Sequence, residues 1–546
     1  MNKSLLILCF YPLFLLAQKR SFVEVSDKVG MDYRYPGNDF QMAGGGVTII
    51  DFNKDGWEDV FQAGGVFPSK LWMNQEGRFV DFTDKLNLNS LSGYFIQGTV
   101  AADLNNDGFE DLIVANYGSG MSRGDHYFPV ILINKKGKSF EIKSLENTLP
   151  QGNYSSVVVS DVNQDGLTDI FYTNYVAQMG ALYDSIGNTV GYNPSCYPNK
   201  LLLNKGNFTF QEVSKEWGLD DSGCGLAATF TDLNKDSYPD LLLLNDFGEW
   251  TKLGNKCYLN NFPKPGFTDV SASVHFMSEM YGMGVGKTDL NTDGTFEYYL
   301  TNIGKNQFLS FENNQFSDFA DSLNLSEYKS TDKKMSTSWT PVFFDFDFDG
   351  DEDLYLTKGN VATLVPPAKI KDPNKFYLNE NGSFKDLSDS IGLNDVLSHR
   401  GAVFTDFDHD GDLDLISSVV KLPWAAFQGL DQKIKVYENQ SAFGNWIGIK
   451  LIGQKEINAD AFGVIVKLYT KDGKILTKEV DGGSGQASQS SKILYIGLGE
   501  ESSFEKVEVI ISKDKVLTIN ALEINTVNKV WIYKHGNPTK KKKRKS

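Results

Sequence analysis

A chain of 546 residues is too long for one ordinary hydrophobic core, so we expect several domains or one large repeat architecture. Apolar residues make up 41% and aromatic residues 13% of the chain, which excludes disorder over most of its length. The formal net charge of −17 at pH 7 argues against nucleic acid as a partner.

The N-terminus predicts a secretory signal peptide over residues 1–17. Lys3 gives a positive start, residues 5–16 form an apolar run, and Ala17 suits a cleavage site that would leave Gln18 as the first mature residue. The alternative is an uncleaved membrane anchor, but the run is shorter than the ~20 residues that a helical span needs. Because no other stretch is long and apolar enough to cross a membrane, we expect a secreted protein or one at the cell surface or envelope.

An acidic nine-residue pattern, D-x-[DN]-x-D-[GS]-x-x-[DE], recurs seven times along the chain. We number the copies acidic loops 1 to 7, and their first residues are separated by 52, 58, 71, 57, 56 and 61 residues. Such internal periodicity is typical of repeat architectures. The residues with side-chain oxygens at positions 1, 3, 5 and 9 of the loops are Asp51, Asn53, Asp55, Asp59, Asp103, Asn105, Asp107, Asp111, Asp161, Asn163, Asp165, Asp169, Asp232, Asn234, Asp236, Asp240, Asp289, Asn291, Asp293, Glu297, Asp345, Asp347, Asp349, Asp353, Asp406, Asp408, Asp410 and Asp414.

Short apolar runs flank each acidic loop and predict a four-stranded repeating unit. Residues 46–50 precede loop 1, residues 112–115 follow loop 2, and a third run often ends in Asn, as in residues 71–74. A Gly turn and a fourth run usually follow, as in residues 77–82. Short apolar runs between turn residues are typical of strands, so each acidic loop joins the first strand of a unit to the second.

Seven four-stranded units predict an all-β fold, a seven-bladed β-propeller over residues 21–440. The seventh unit ends at residues 436–439 and lacks a fourth strand. Residues 22–25 resemble that missing strand. We therefore expect the N-terminus to pair into the last blade and to close the ring without an open sheet edge.

The acidic loops predict up to seven calcium sites. Side-chain oxygens at positions 1, 3, 5 and 9, with the backbone carbonyl of position 7, form a hard ligand set, and Gly at position 6 permits the sharp turn. Carboxylates packed so closely would repel one another without a cation. Ca²⁺ accepts roughly 6–8 ligands in irregular geometry, whereas Mg²⁺ demands a stricter octahedron. Ser237 replaces Gly in loop 4 and Glu297 replaces Asp in loop 5, so we expect weaker sites there.

The acidic loops do not fit an EF-hand, which needs a bidentate Glu at position 12 and flanking helices. The residues found at position 12 are Gln62, Val114, Tyr172, Leu243, Leu300, Leu356 and Ser417. Strands are predicted after them. Solvated turns are the other alternative, but turn chemistry alone does not place carboxylates at positions 1, 5 and 9 in seven copies.

A long insertion between loops 3 and 4, residues 175–200, accounts for the 71-residue step. It carries Tyr183, Tyr192 and Tyr197 and should lie on one face of the ring, where residues 247–250 would add further aromatic side chains. Insertions on propeller faces often bind partners, and packing over the channel mouth is the alternative.

Three cysteines remain after the predicted cleavage: Cys196, Cys224 and Cys257. An odd number allows one disulfide and one free thiol in an oxidising compartment, with Cys196 and Cys224 as a candidate pair. Three unpaired buried cysteines are the alternative.

Residues 441–535 predict a small β-sandwich that follows the propeller. Apolar and polar residues alternate in residues 464–469 and 507–511, and Asp472-Gly473 fits a hairpin turn. Within this region the Gly-rich segment 482–489 is followed by no helical pattern. We therefore expect a flexible or ligand-facing loop rather than a phosphate-binding one.

The basic tail, residues 536–546, predicts a disordered end of the chain. It would either touch an anionic surface or be merely solvated, and the predicted signal peptide argues against nuclear targeting.

The acidic loops and their flanks resemble the FG-GAP (VCBS) repeats of integrin α-subunit propellers and of many bacterial surface proteins. The whole arrangement resembles the cartilage acidic protein family, whose members join such a propeller to a C-terminal ASPIC/UnbV domain. The motifs that carry the second resemblance are residues 445–453, Asn458 and residues 462–464, 482–489 and 496–499. One departure is Ile511-Ser512-Lys513-Asp514, where the family usually shows Trp-Pro-Ser-Gly.

The resemblance covers residues 40–525 and implies an integrin α-like propeller in a secreted or surface-exposed protein. It implies a role in adhesion and in matrix or partner binding, and it supplies no catalytic residues. We therefore expect a calcium-dependent binding module for a protein or glycan partner, and not an enzyme.

Few residues in the sequence suggest catalysis. The histidines are His126, His275, His399, His409 and His535, and none of them predicts a Ser-His-Asp or Cys-His pair. His409 lies inside acidic loop 7, with its side chain expected to point outward. The alternative is an extracellular enzyme acting on polysaccharide in the central depression, with an aromatic-lined funnel and a carboxylate pair outside the acidic loops. A third possibility is a purely structural envelope protein, without a face of clustered aromatic residues.

Overall fold

The computed structural model describes residues 21–36, 44–118, 128–327, 334–361, 369–441 and 444–533. The predicted signal peptide and the basic tail lie outside these ranges. The described chain contains seven four-stranded antiparallel sheets, a two-stranded ribbon and a C-terminal pair of sheets with three and four strands. Within these ranges, no helix combines the length and the apolar character needed to cross a membrane.

The seven four-stranded sheets are the blades of the predicted propeller, and their strands are named A to D in the order of pairing. From A to D they are Val47–Ile50, Asp59–Gln62, Lys70–Asn74 and Phe79–Asp81 in blade 1; Ile96–Ala102, Asp111–Asn116, Val130–Asn134 and Phe140–Ser144 in blade 2; Tyr154–Ser160, Asp169–Asn174, Lys200–Asn204 and Phe210–Glu212 in blade 3; Gly225–Thr231, Asp240–Asn245, Lys256–Asn260 and Phe267–Asp269 in blade 4; Val285–Thr288, Glu297–Leu300, Gln307–Glu312 and Gln315–Asp318 in blade 5; Ser338–Phe344, Asp353–Lys358, Lys375–Glu380 and Ser383–Asp386 in blade 6; and His399–Thr405, Asp414–Val419, Lys435–Asn439 and Phe22–Glu24 in blade 7. The helices are short: Ser26–Val29, Gly248–Thr251, Ser388–Ile391, Pro423–Phe427 and the 3₁₀ turn Leu88–Leu91.

The A strands surround a central channel. Each A strand contacts the A strand of the next blade, and blade 7 contacts blade 1 in the same way. Hydrophobic clusters fill the spaces between adjacent blades, and strands A and B are buried on both faces. Because the strands are antiparallel, the acidic loops between A and B lie on one face of the ring, which we term the acidic-loop face. The connections between B and C lie on the opposite face.

The N-terminal strand closes the ring, as predicted. Phe22–Glu24 pairs antiparallel with Lys435–Asn439 and supplies strand D of blade 7. The ring of Phe22 is buried against Phe344, Phe346 and Phe376 of blade 6. Ring closure therefore joins the two ends of the repeat array through both backbone hydrogen bonds and an aromatic core.

The Asn at the end of strand C links each blade to its neighbour. In blade 3, Asn204 Nδ2 donates to the backbone oxygen of Thr168 in its own loop and to that of Leu104 in loop 2, at 3.2 and 2.9 Å. The residues that make the equivalent bond to the preceding blade are Asn74, Asn134, Asn260 and Asn439. In blade 5 the strand register places Phe311 at this position.

The bonds of Asn204 predict a large cost for its removal. We expect Asn204→Ala to lower the free energy of unfolding by about 2–4 kcal/mol, because two buried backbone carbonyls lose their donor. Urea denaturation at fixed calcium concentration measures this, and the exposed Asn193→Ala is the matched control. A change below about 0.5 kcal/mol in Asn204→Ala would show that the bonds contribute little.

The C-terminal region forms the predicted small β-sandwich. One sheet has the order Leu494–Gly499, Asn445–Gln454 and Val527–Tyr533, and the other has the order Ile475–Glu479, Ile465–Tyr469, Lys506–Ser512 and Lys515–Ile519. Ile447, Val466 and Val507 lie in a core shared by the two sheets, and the same core continues into blades 2 and 3 through Val100 and Val159. The predicted hairpin at Asp472-Gly473 joins two paired strands.

The Gly-rich segment does not form the flexible or ligand-facing loop that we expected. Residues 482–491, which we term the channel plug, enter the central channel and are almost completely buried. Their backbone bonds to the A strands: Gly482 accepts from Val159 N–H at 2.9 Å, and Gly485 N–H donates to Val285 at 2.7 Å. A Cβ on Gly482 would lie only 1.8 Å from the Val159 oxygen. Glycine therefore permits close approach of two backbones here, and not mobility.

The insertion after loop 3 forms an antiparallel ribbon of Val176–Tyr183 and Thr189–Cys196 on the opposite face. A disulfide joins Cys196 to Cys224, with their Cα atoms 5.1 Å apart, and Cys257 is a buried free thiol. Of the alternatives left open for the cysteines, the structure thus adopts the single pair.

Candidate functional site

Acidic loop 2 shows how the side-chain oxygens are arranged. The carboxylate of Asp103 at position 1 accepts hydrogen bonds from the backbone N–H of Asp107 at 3.0 Å and of Gly108 at 2.6 Å. Asn105 Oδ1 accepts from the same Asp107 N–H, and Asp107 Oδ1 accepts from Phe109 N–H at 2.9 Å. The same bonds recur in loops 3, 4 and 5. Positions 1, 3 and 5 therefore turn their oxygens toward the inside of the loop.

The acidic residue at position 9 has a structural role that the sequence did not predict. In loop 2, the Asp111 carboxylate accepts from Leu104 N–H at 3.2 Å and from Asn134 N–H on strand C at 2.8 Å. The residues that make the same two bonds are Asp59, Asp169, Asp240, Asp353 and Asp414. Glu297 in loop 5 accepts from Leu290 N–H. A carboxylate has about four lone-pair sites, so each oxygen keeps a lone pair that can bind a cation.

Every acidic loop has a left-handed backbone at the same two positions. The non-glycine residues at position 4, all with φ between 52° and 61°, are Lys54, Asn106, Gln164, Lys235, Thr292, Phe348 and His409. Position 6 is also left-handed, including Ser237 with φ 69°. For a non-glycine residue such a conformation costs about 1–3 kcal/mol and persists only where the surroundings enforce it. An ion bound inside the loop would hold these residues in the left-handed conformation.

Loops 6 and 7 bring three carboxylates together. Oxygens of Asp345, Asp347 and Asp353 in loop 6 all lie within 4.8 Å of one another, and Asp406, Asp408 and Asp414 in loop 7 do the same. Loops 1 to 5 carry Asn at position 3, which is why only loops 6 and 7 form such a cluster of three acids. The donor set consists only of oxygens, which suits Ca²⁺.

The electrostatics of loop 7 indicate that a positive charge would be favourable there. Burial, with repulsion from Asp410 and Asp408, raises the pKa of Asp406 to about 7. Asp406 Oδ1 is buried and has no hydrogen-bond partner among the described residues. Burial and Asp412 likewise raise the pKa of Asp414 well above its ordinary value. A divalent cation would remove both the repulsion and the unpaired oxygen.

The other loops show the same trend. Burial raises the pKa of Asp59, Asp111 and Asp240 to about 8 at position 9, although backbone N–H groups partly oppose it. At position 1, burial and nearby Asp460 raise the pKa of Asp103 to about 7. The residues in all seven loops thus fit the cation that their spacing predicts.

Neighbouring loops contact one another through position 4. Asn106 Nδ2 donates to the Gly166 oxygen of loop 3 at 3.0 Å, and Gln164 Nε2 donates to the Ser237 oxygen of loop 4 at 2.9 Å. His409 lies on the exposed side of loop 7, as predicted, and its ring stacks on Trp57 of loop 1 with centroids 3.8 Å apart. These contacts connect the loops around the ring.

The C-terminal sandwich covers much of the acidic-loop face. Asp103 N–H in loop 2 donates to Asp460 Oδ2 at 2.7 Å, and Lys467 Nζ donates to the Gly294 oxygen of loop 5 at 2.9 Å. In loop 6, the Phe348 oxygen accepts from Gly499 N–H at 2.7 Å. Because the channel plug also enters from this face, the central depression is filled there. The funnel required by the polysaccharide alternative is absent from this end of the described channel.

Three residues form a Ser-His-Asp grouping that the sequence did not predict. Ser417 Oγ lies 2.7 Å from His399 Nδ1, and His399 Nε2 lies 3.5 Å from Asp395 Oδ2. Although burial raises the pKa of Asp395, its interaction with His399 lowers it to about 2. Ser417 and His399 are both 0% exposed, so no substrate can reach the hydroxyl. His126 and His535 lie outside the described residues.

The ribbon and the residues predicted beside it form one aromatic surface on the opposite face. Tyr192 of the ribbon packs on Trp250 at 4.9 Å between ring centroids, and Trp250 contacts Phe247 and Tyr281, both at 5.4 Å. The ribbon is held at its base by the disulfide and nearer its turn by the contact of Tyr192 with Trp250. The prediction that the insertion and residues 247–250 share a face is confirmed.

The far end of the ribbon is apolar and exposed. Tyr183 is 65% and Ile186 is 83% exposed, so the tip is not packed on the described propeller. The other large apolar side chains exposed on the ribbon are Met179, Leu182 and Val190. Asp184 is the one charged residue between positions 176 and 196, and its Oδ1 accepts from the N–H groups of Ile186 and Asn188 at 3.0 and 2.8 Å. The turn is therefore held in one shape.

Parts of both the propeller and the C-terminal region match known family models. A model described as "FG-GAP-like repeat" matches residues 51–114 and 103–172, and one described as "ASPIC and UnbV" matches residues 454–539. Cartilage acidic protein 1 of Xenopus tropicalis is 25% identical over 95% of this chain and 78% of its own length. Cartilage acidic protein 1 of Homo sapiens is 24% identical over 96% of this chain and 77% of its own length.

Similarity to solved structures is weaker. A structure of an Agrocybe aegerita lectin that recognises non-reducing terminal N-acetylglucosamine is 15% identical, covering 77% of this chain and 95% of that one, with a TM-score of 0.36. A Lactobacillus plantarum protein is 10% identical, covering 69% and 89% of the two chains, with a TM-score of 0.35.

Proposed function

We propose that this homologue of cartilage acidic protein 1, which carries FG-GAP-like repeats and an ASPIC/UnbV domain, is a calcium-binding module for a macromolecular partner. The observation that carries the calcium part is the convergence of side-chain oxygens in the strained acidic loops, with three carboxylates within 4.8 Å of one another in loop 6 and again in loop 7. The observation that carries the binding part is the exposed, pre-shaped ribbon on the opposite face.

The residues at positions 1, 3, 5 and 9 of each loop would hold the ions. A bound Ca²⁺ supplies the positive charge that offsets carboxylate repulsion. The protein's own contribution is to orient these oxygens: backbone N–H groups hold positions 1 and 5, and position 9 is fixed by strand C. A rigid ring then presents the opposite face in one conformation, which limits the entropy lost on binding.

The partner surface in this proposal is the ribbon with the aromatic residues that pack against it. The acidic-loop face is covered by the C-terminal sandwich, whereas Tyr183 and Ile186 extend into solvent. Aliphatic side chains offer no hydrogen bonds to sugar hydroxyls, so they favour a protein partner with an apolar groove. Recognition of a glycan is the competing outcome of the experiment below.

We further propose that the protein is secreted or displayed at the cell surface and is not an enzyme. The Cys196–Cys224 disulfide supports an oxidising compartment. Two observations support a role without turnover. The Ser417 grouping is buried, and the clustered carboxylates lie in the proposed calcium loops.

The ribbon proposal predicts the effect of a double substitution at its tip. We expect Tyr183→Ser with Ile186→Ser to reduce binding to the hits of combined protein and glycan arrays at least tenfold, because the variant removes the most exposed apolar side chains. The melting temperature should stay within about 1 °C of wild type, since neither side chain is buried. Binding should also require calcium.

The control is Val516→Ser with Trp531→Ser, which alters exposed apolar residues on the C-terminal sandwich. Hits that bind the tip variant and wild type equally would exclude the ribbon as the partner surface. Hits confined to glycans would replace the protein partner with a glycan. Turnover of a hit would contradict the proposal that the protein is not an enzyme.

A further inference from the structure

We infer that calcium binding and docking of the C-terminal sandwich are one coupled equilibrium, linked through acidic loop 6. This inference rests on the calcium sites proposed above. On this inference, the Gly-rich motifs of the sandwich dock fully only when loop 6 has its ion-bound conformation.

The first step concerns Phe348, the strained residue at position 4 of loop 6. Its φ is 54°, and its backbone oxygen accepts a hydrogen bond from Gly499 N–H of the sandwich at 2.7 Å. Its ring stacks on Trp446 of the sandwich with centroids 5.7 Å apart. The sandwich therefore contacts both the backbone and the ring of Phe348. A loop wrapped around an ion would stabilise the left-handed conformation of this residue.

The second step concerns the close approach of Gly497 to a predicted ligand. A Cβ on Gly497 would lie 2.1 Å from Asp345 Oδ2 at position 1, and 2.6 Å from the backbone of Phe348. Only glycine allows this contact without displacing the carboxylate. The Ile496–Gly499 motif, which sequence reasoning could assign only to a family, thus lies directly against the predicted calcium ligands of loop 6.

The third step is electrostatic. Lys478 and Lys474 of the sandwich pair with Glu352 and Asp351 of loop 6, the second pair at 3.5 Å. Acidic side chains at positions 7 and 8 thereby contact the sandwich, while those at positions 1, 3, 5 and 9 face the proposed ion. Loop 6 therefore contacts both the sandwich and the proposed ion, and both stabilise the same conformation of the loop.

The fourth step is the connection from loop 6 to the channel plug. The strand Ser338–Phe344 leads directly into Asp345, and its Thr340 Oγ1 accepts a hydrogen bond from Gln486 N–H of the plug at 3.0 Å. A change of shape in loop 6 would therefore disturb the sandwich at its edge and the plug at its tip. By thermodynamic reciprocity, a docked sandwich must then strengthen calcium binding by the same factor.

Loop 4 provides an internal control. Among the described residues, no hydrogen bond or ion pair joins residues 232–240 to the sandwich. Asp236 occupies position 5 of loop 4, and Asp349 occupies position 5 of loop 6. Asp236→Asn and Asp349→Asn therefore remove the same carboxylate from a loop without a described hydrogen bond or ion pair to the sandwich and from a loop with several.

The test is hydrogen–deuterium exchange of residues 482–491 in the full chain, in saturating CaCl₂ and in EGTA. In calcium we expect Asp349→Asn to speed exchange of the plug amides about tenfold, a coupling within the usual range for linked sites, and Asp236→Asn to change it less than twofold. In EGTA, wild type and Asp349→Asn should exchange at the same, faster rate, because both then lack the ion. Should Asp349→Asn fail to fold, Asp347→Asn introduces the residue that loops 1 to 5 carry at position 3 and should act in the same direction.

Two results would overturn the coupling. One is equal plug exchange in the loop 4 and loop 6 variants in calcium. The other is a difference between wild type and Asp349→Asn that persists in EGTA, which would reveal a direct contact without the ion. Calorimetry on the wild type separates the two proposals. Absence of calcium binding would contradict the proposed sites. Calcium binding without an effect on exchange of the plug amides would contradict only the coupling.

Discussion

Saturating calcium should raise the melting temperature of the full chain by about 15 °C relative to the same protein in EGTA. Each filled site stabilises the folded state by about 2.7 kcal/mol when the ion is at 100 times its dissociation constant. Up to seven sites in one cooperative ring make the combined effect much larger than that of a single ligand. Differential scanning calorimetry at constant ionic strength measures the difference.

The physical reason is the cost of the ion-free loops. Burial raises the pKa of Asp59, Asp111 and Asp240 to about 8, which means that folding disfavours their charged forms. A bound calcium ion would favour the charged forms of these carboxyl groups. Added NaCl only screens exposed charges, so it should stabilise the buried ones little. MgCl₂ at the same concentration is the matched control, and we expect a shift less than half as large, because Mg²⁺ requires stricter geometry.

Equal melting temperatures in calcium and EGTA would contradict the account of the loops. A shift reproduced in full by MgCl₂ would show that the sites do not select Ca²⁺. Weak sites in loops 4 and 5, expected from Ser237 and Glu297, would appear as a late component in a calcium titration.

Removal of the N-terminal strand should be the most damaging change to the propeller that leaves the acidic loops intact. We expect deletion of residues 21–30 to abolish cooperative folding at 37 °C, because blade 7 would lose strand D and expose the edge of Lys435–Asn439. Phe22→Ala alone should lower the free energy of unfolding by about 3–5 kcal/mol, since its ring fills a core of three phenylalanines. Denaturant titration in saturating calcium measures both variants.

Val23→Ala is the matched control for the closure strand. Val23 belongs to the same strand but is 40% exposed, so we expect a change within about 0.5 kcal/mol. Similar losses in the two single variants, or a deletion variant as stable as wild type, would show that ring closure does not depend on this strand.

The repeat architecture was predictable because its signal is periodic. Apolar runs around each acidic loop determined the four strands of a blade, and the missing fourth strand of unit seven pointed to residues 22–25. The sequence also picked out positions 1, 3 and 5, whose oxygens turn inward in loops 2 to 5; that they bind calcium stays a prediction. These features depend on local pattern, which seven copies in one register make unambiguous.

Features that depend on contacts between distant segments were not predictable in the same way. The Gly-rich segment predicted a flexible or ligand-facing loop, yet Gly482 permits close backbone contact with Val159. Nothing local indicates that Asn204 bonds to another blade, or that Asp111 anchors strand C as well as facing the proposed ion. The Ser417 grouping was hidden because its members come from separate strands and loops.

The most direct test of the calcium sites is a crystal structure of the full chain grown in millimolar CaCl₂, with anomalous data collected at long wavelength. We expect anomalous peaks inside the acidic loops, each within about 2.6 Å of the oxygens at positions 1, 3, 5 and 9. Loops that keep the same closed shape with only water or no density between those oxygens would contradict the account.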